Sequence, residues 1–67
     1  MEKVSLRAAR QMARFTITDV ARYLGKAPST IHCWETGKTE PSVMDAVRLA
    51  ELYRRPLEYI DFEGVEE

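Results

Sequence analysis

The feature that most constrains this fold is the stretch TITDVARYLGKAPSTIHCWETGK, which contains two helix starts and two helix stops. Thr16 followed three residues later by Asp19 has the pattern of a capping box, which opens a helix. Gly25 suits the end of that helix, because glycine adopts a positive φ without steric cost. Pro28 suits the first turn of a further helix, and Gly37 stops it. The stretch therefore predicts two short helices that cross at a tight turn.

Apolar residues at helical spacing give each of these helices one side to bury. The inner side of the first carries Ile17, Val20, Ala21 and Leu24. The inner side of the second carries Ile31, Trp34 and Glu35, and Trp34 is interpreted as a core aromatic. The other side of the second helix carries Pro28, Ser29, His32, Cys33 and Thr36.

The flanking segments predict the helices that cover these inner sides. Ser5 is a plausible cap for a helix over residues 6–14, with Leu6, Ala9, Arg10 and Ala13 on one face and with Arg7, Gln11 and Arg14 exposed. Ser42 with Asp45 predicts a second capping box, opening a helix whose inward residues are Val43, Ala46, Val47, Ala50 and Tyr53. After Pro56, a short fifth helix is predicted from Leu57, Tyr59, Ile60 and Phe62, and no strand signal is evident. The predicted fold is all-α: a compact bundle of five short helices in one domain over residues 1–67, with its core at about 5–62 and a mobile acidic tail at 63–67.

Composition narrows the classes of function. One cysteine allows no internal disulfide, and one cysteine with one histidine cannot supply a four-ligand zinc site, so no metal or cofactor is expected. There is no apolar run long enough for a membrane span and no signal peptide, which predicts a cytoplasmic protein without membrane contact. Residues 1–38 contain seven Lys/Arg and three Asp/Glu, whereas residues 39–67 contain three and eight. The near-neutral total therefore conceals a basic half, which holds the two-helix stretch, and an acidic half.

The segments DVARYLGKAPSTIHCWETGKTEP and LAELYRRPLEYI resemble the Cro/cI-type (lambda-repressor-like, XRE) helix-turn-helix family. The Ala, the Leu-Gly, the Ser-Thr-Ile, the Trp-Glu and the Gly-Lys stand at the spacings typical of that family, and the likeness covers about residues 5–62. The resemblance implies a DNA-binding domain whose helix-turn-helix is formed by helices 2 and 3, with helix 3 in the major groove.

The same resemblance assigns roles to individual positions. It implies base-reading roles for Pro28, Ser29, His32 and Cys33. It implies phosphate contacts for Thr16, Ile17, Lys38, Arg14 and Lys26, with Arg22 as an extension of the basic face. It also implies a partly buried, structural ion pair between Arg10 and Glu35. Three positions depart from the family pattern: Ile17 replaces a common Gln, Lys26 replaces an apolar residue, and Ala27 replaces a capping residue.

The expected function is that of a sequence-specific, double-stranded DNA-binding transcriptional regulator. A small Cro-like repressor, bacterial or phage-encoded, would bind a palindromic operator as a homodimer through Tyr59, Phe62 and Val65. The alternative is a protein-interaction module on the same fold, antitoxin-like, whose acidic half binds a partner. An enzyme is not expected, because the adjacent His32 and Cys33 point about 100° apart on a helix and cannot act as base and nucleophile in contact. No small-molecule ligand is evident.

Overall fold

The computed structural model describes residues 3–62, which form four α-helices, one turn of 3-10 helix and two very short strands. The order is β1 (Val4–Ser5), α1 (Leu6–Met12), α2 (Ile17–Leu24), α3 (Pro28–Thr36), α4 (Val43–Tyr53), a 3-10 turn (Leu57–Tyr59) and β2 (Ile60–Asp61). The predicted tail at 63–67, and with it Val65, lies outside the described residues.

Side-chain caps open three of the helices where the sequence predicts them. The Ser5 hydroxyl accepts a hydrogen bond from the amide of Ala8 at 3.0 Å. At α2 the capping box is complete: Thr16 Oγ1 accepts from the Asp19 amide and Asp19 Oδ2 accepts from the Thr16 amide, both at 3.0 Å. At α4 the Ser42 hydroxyl accepts from the Asp45 amide at 3.1 Å.

The second predicted capping box is only half formed. The Asp45 carboxylate lies 3.5 Å from the Lys26 ammonium group, on the turn between α2 and α3, instead of bonding back to the Ser42 amide. The start of α3 differs again, because Ala27 provides no side-chain cap and Pro28 occupies the first turn, as the sequence predicts.

All four helices are followed by a residue in the left-handed backbone conformation. Gly25 and Gly37 take this role after α2 and α3, as predicted, while Arg14 (φ 66°) and Arg54 (φ 59°) take it after α1 and α4. The prediction that the first helix reaches residue 14 is therefore wrong. The chain turns at Arg14, and the Phe15 amide then donates to the Arg10 carbonyl at 3.2 Å, which is the geometry of a helix-terminating motif.

The prediction of an all-α fold of five helices is confirmed only in part. Residues 57–59 form a single 3-10 turn, and Ile60–Asp61 then pairs in parallel with Val4–Ser5, in the register Val4 to Ile60. Two-residue strands are too short to show the alternation that identifies a strand, and the partners come from opposite ends of the chain. The fold is mostly helical, and a small parallel sheet joins its two ends.

The core lies between α1, α2, α3 and α4, with Ile60 of β2 closing it. Its buried apolar members are Leu6, Ala9, Val20, Ala21, Leu24, Ile31, Trp34, Leu49, Ala50, Tyr53 and Ile60. Val43, in the first turn of α4, is predicted to face inward but is 81% exposed. Leu49, which is 1% exposed, fills the core on that helix instead.

Candidate nucleic-acid interface

Helix α3 has a buried side and a solvent side, and the division follows the predicted one. Ile31, Trp34 and Glu35 are at most 5% exposed, which makes Trp34 a core residue. On the solvent side Pro28, Ser29, His32 and Thr36 are exposed and Cys33 is partly covered. All four residues predicted to read bases therefore lie on the open face of α3, and none of them carries a fixed negative charge.

The ion pair between Arg10 and Glu35 is present and attaches α1 to α3. Arg10 Nε lies 2.7 Å from Glu35 Oε2, and Arg10 Nη2 donates to Glu35 Oε1 at 3.3 Å. The same guanidinium donates from Nη1 to the Phe15 carbonyl at 3.0 Å. The two side chains are 11% and 5% exposed, so one cation fixes α3, α1 and the segment that leads into α2.

Tyr53 of α4 lies close to this ion pair and packs against Phe15, with ring centroids 6.4 Å apart. Burial raises the pKa of the Tyr53 phenol well above its usual range, and the nearby Glu35 carboxylate raises it further. Tyr53 therefore stays neutral at physiological pH and adds no second negative charge beside Glu35.

The amino-terminal end of α2 presents backbone N–H groups beside the predicted phosphate residue Thr16. The capping box uses the amides of Thr16 and Asp19, which leaves those of Ile17 and Thr18 without a partner inside the helix. Such groups suit a phosphate oxygen. The Asp19 carboxylate in the same turn opposes a bound anion, however, so this end is a weaker phosphate site than an uncharged helix start.

We expect Asp19→Asn to lower the stability of the fold at neutral pH but not in strong acid. Hydrogen bonds from the Thr16 backbone amide and then from its hydroxyl hold the pKa of Asp19 below its ordinary value of 3.8. Because the folded-state pKa is depressed, the stabilisation is present above the unfolded-state pKa and is lost as the pH falls through the folded-state pKa. Urea denaturation midpoints of both proteins at about pH 7 and about pH 2 measure this. Thr18→Asn, an exposed change in the same turn, is the matched control, and a deficit of Asp19→Asn that persists in acid would contradict the assignment.

The predicted phosphate-binding cations differ in whether a carboxylate already holds them. Lys26 lies beside Asp45 and must exchange this partner for a phosphate. Lys38, directly after α3, and Arg14 are exposed and make no ion pair within residues 3–62. Lys38 and Arg14 are accordingly available to a phosphate without giving up a partner, whereas Lys26 is not.

A cleft of about 250 Å³ lies where α1, α2 and α3 meet. Its lining residues are Arg7, Arg10, Ile17, His32, Glu35 and Thr36. The cleft brings together Ile17, expected at a phosphate, and His32, expected at a base. It also includes Arg7, which the sequence analysis assigns only to an exposed face. Arg7 stands three residues before Arg10 and therefore projects from the same side of α1, a spacing that could have identified it.

The part of the chain that the structure describes contains no group of three His, Cys, Asp or Glu residues placed to hold a metal ion. Within that same part, none of the helices has both the length and the apolar character needed to cross a membrane.

A family model described as Helix-turn-helix matches residues 6–60, which is most of the chain. The chain therefore belongs to the helix-turn-helix family of the Cro/cI (XRE) type, whose members are DNA-binding regulators of transcription. No curated protein matches the chain, and no solved structure does.

Proposed function

We propose that this protein is a sequence-specific transcriptional regulator, a small Cro-like repressor that places α3 in the DNA major groove. The observation that carries the proposal is the open face of α3, whose side chains carry no fixed negative charge and point away from the core while the opposite face is buried. A helix presented in this way fits the width of the major groove and brings its first two turns to the base edges. Such a repressor would act by occupying its site at a promoter.

The base-reading residues that we propose are Pro28, Ser29, His32 and Cys33. Ser29 both donates and accepts hydrogen bonds, and His32 can donate to an acceptor of guanine. Pro28 and Cys33 offer apolar surface to a thymine methyl group. None of these side chains makes the bidentate contact of Arg, Asn or Gln, so we expect modest discrimination by direct contact and an added contribution from DNA shape.

Phosphate contacts would position α3 on the duplex. Lys38 supplies a cation at the end of α3, and the free amides at the start of α2, beside Thr16 and Ile17, supply donors at the other side. Arg14 extends this surface, and Lys26 joins it once released from Asp45.

A second copy of the chain is the partner that we propose for a groove between the segment before α4, the first turn of α4 and residues 57–62. This groove, about 370 Å³, is lined by Glu40, Pro41, Val43, Ala46, Leu57 and Phe62. Leu57 is 40% exposed, and Phe62 is one of the residues expected at a dimer interface from the sequence. Tyr59, the other such residue within the described range, is half-buried and does not line the groove. In a symmetric dimer the two α3 helices would lie about 34 Å apart, which fits one turn of DNA and a palindromic operator.

We expect Lys38→Ala to weaken binding to every duplex and Ser29→Ala to alter which duplexes are preferred. Selection of bound duplexes from a random-sequence pool at about 0.1 M salt, followed by sequencing, provides the preferred site and its half-site spacing. Removing one phosphate contact should reduce the slope of log affinity against log salt by about 1. Lys3→Ala removes an exposed cation outside the proposed interface and is the control. Failure of the unaltered protein to retain any duplex would contradict the proposal.

The second candidate function is a protein-interaction module, antitoxin-like, on the same fold. It is favoured by the charge of residues 39–67, where eight acids stand against three bases. Under this alternative the groove lined by Val43 and Leu57 would receive a different protein, and DNA binding would be secondary. Retention of a protein partner without retention of DNA would select this alternative.

A further inference from the structure

We propose that the cleft between α1 and α3 holds a backbone phosphate of the bound DNA, and that Arg7 is its principal ligand. This inference rests on the proposed function, since it concerns the same DNA complex. It adds a contact from α1, outside the helix-turn-helix formed by α2 and α3.

The charges around the cleft leave Arg7 as its available cation. Arg10 directs three of its five N–H groups to Glu35 and to the Phe15 carbonyl, so its positive charge is largely neutralised where it is. The carboxylate of Glu35 is in turn occupied through both of its oxygens. Arg7 is exposed and forms no ion pair within residues 3–62. The cleft therefore combines one satisfied ion pair with one cation that has no anionic partner.

The position of the cleft brings an anion beside the open face of α3. His32 and Thr36 contribute one wall, and they lie one turn apart on the exposed side of α3. A helix in the major groove lies between the two phosphate backbones, so cations at its flank meet phosphates while its own residues meet bases. A phosphate in this cleft would consequently belong to the nucleotides next to those that His32 contacts.

The chemistry of the lining suits a phosphate better than a base. The Arg7 guanidinium has a planar fork of donors that matches two phosphate oxygens. Ile17 forms an apolar part of the wall, which offers no hydrogen bond to a base edge. The volume of about 250 Å³ leaves room for a phosphate group with part of its sugar.

The test compares Arg7→Ala, Arg7→Lys and Arg48→Ala in the full chain on a duplex chosen by the selection experiment. Arg48 is an exposed arginine of α4 outside the cleft and outside the proposed interface, so it controls for loss of one positive charge. Each protein is also titrated with duplexes in which a single phosphate is replaced by a neutral methylphosphonate. Circular dichroism establishes that each variant is folded.

We expect Arg7→Ala to weaken binding about 3- to 10-fold and to lower the salt slope by about 1, while Arg7→Lys recovers part of the loss. One methylphosphonate position per half-site should weaken the unaltered protein and have no further effect on Arg7→Ala. Equal affinities of Arg7→Ala and Arg48→Ala, or a loss without any change in salt slope, would overturn the inference while leaving the proposed function intact. An unaltered protein that binds no duplex would overturn both.

Discussion

Glu35→Ala should leave a large fraction of this protein unfolded at room temperature. Truncating Glu35 leaves the Arg10 guanidinium, 11% exposed, without its anionic partner, and breaking one side of a buried ion pair costs about 3–5 kcal/mol. The core of a chain this short supplies only about 3–5 kcal/mol of net stability. The cost of breaking the ion pair is similar to the net stability of the fold, so this one substitution removes most of the free energy of unfolding.

Urea denaturation, followed by helical circular dichroism and by the fluorescence of the buried Trp34, measures the loss. Glu51→Ala, on the exposed face of α4, is the matched control and should change stability by less than about 0.5 kcal/mol. The double variant Arg10→Met with Glu35→Leu removes both charges and should recover much of the loss, because uncompensated burial of a charge is the costly term. Similar effects of Glu35→Ala and Glu51→Ala would show that the ion pair contributes little.

The Arg10–Glu35 pair also connects stability with function. Arg10 bonds both to Glu35 of α3 and to the Phe15 carbonyl, just before α2. It therefore fixes the position of the open face of α3 relative to the start of α2. Partial loss of the pair in a variant that remains folded should therefore impair DNA binding through misplacement of α3, even though Glu35 itself faces the core.

The sequence predicts α2 and α3 well because their signals are local. The Thr16–Asp19 box, Gly25, Pro28 and Gly37 each act on their own turn of the chain, and the predicted bounds agree with the structure. The ends of α1 and α4 carry arginine in place of glycine at the left-handed position, so nothing in the residue type marks them. The sheet depends on pairing between residues at opposite ends of the chain, which no local pattern encodes.

The candidate site likewise has one part that local sequence patterns predict and one part that they do not. Helical periodicity alone places Ser29 and His32 on the open face of α3, since only the burial of Ile31 and Trp34 is needed for that conclusion. Contacts between side chains from different parts of the fold could not be predicted in this way. The pairing of Lys26 with Asp45 and the grouping of Arg7 with His32 depend on how α1 and α4 pack against the helix-turn-helix, and spacing within one helix does not determine that.

Val43→Asp should abolish dimerisation and weaken binding to a two-half-site operator by about 100-fold, if a second copy occupies the groove beside α4. Joining two domains makes the second binding event intramolecular, and this is worth about 10²–10⁴ in overall affinity. Val43 is 81% exposed, so the substitution costs the monomer little, and an acidic residue in the first turn of α4 interacts favourably with the helix dipole. Binding to a duplex with a single half-site should be unchanged.

Met44→Asp is the matched control for this experiment. Met44 is the next residue in the same turn and is 65% exposed, but it does not line the groove, so it carries the same change of charge without touching the proposed interface. Sedimentation equilibrium compares the association of the two variants, and titration of one-half-site and two-half-site duplexes compares their affinities. If only Val43→Asp loses affinity, and only for the duplex with two half-sites, the groove is the surface that binds the second copy. Equal association and equal DNA affinity of the two variants would show that the groove is not the dimer interface. If Val43→Asp instead lost binding to a different protein while Met44→Asp kept it, the protein-interaction module would be favoured.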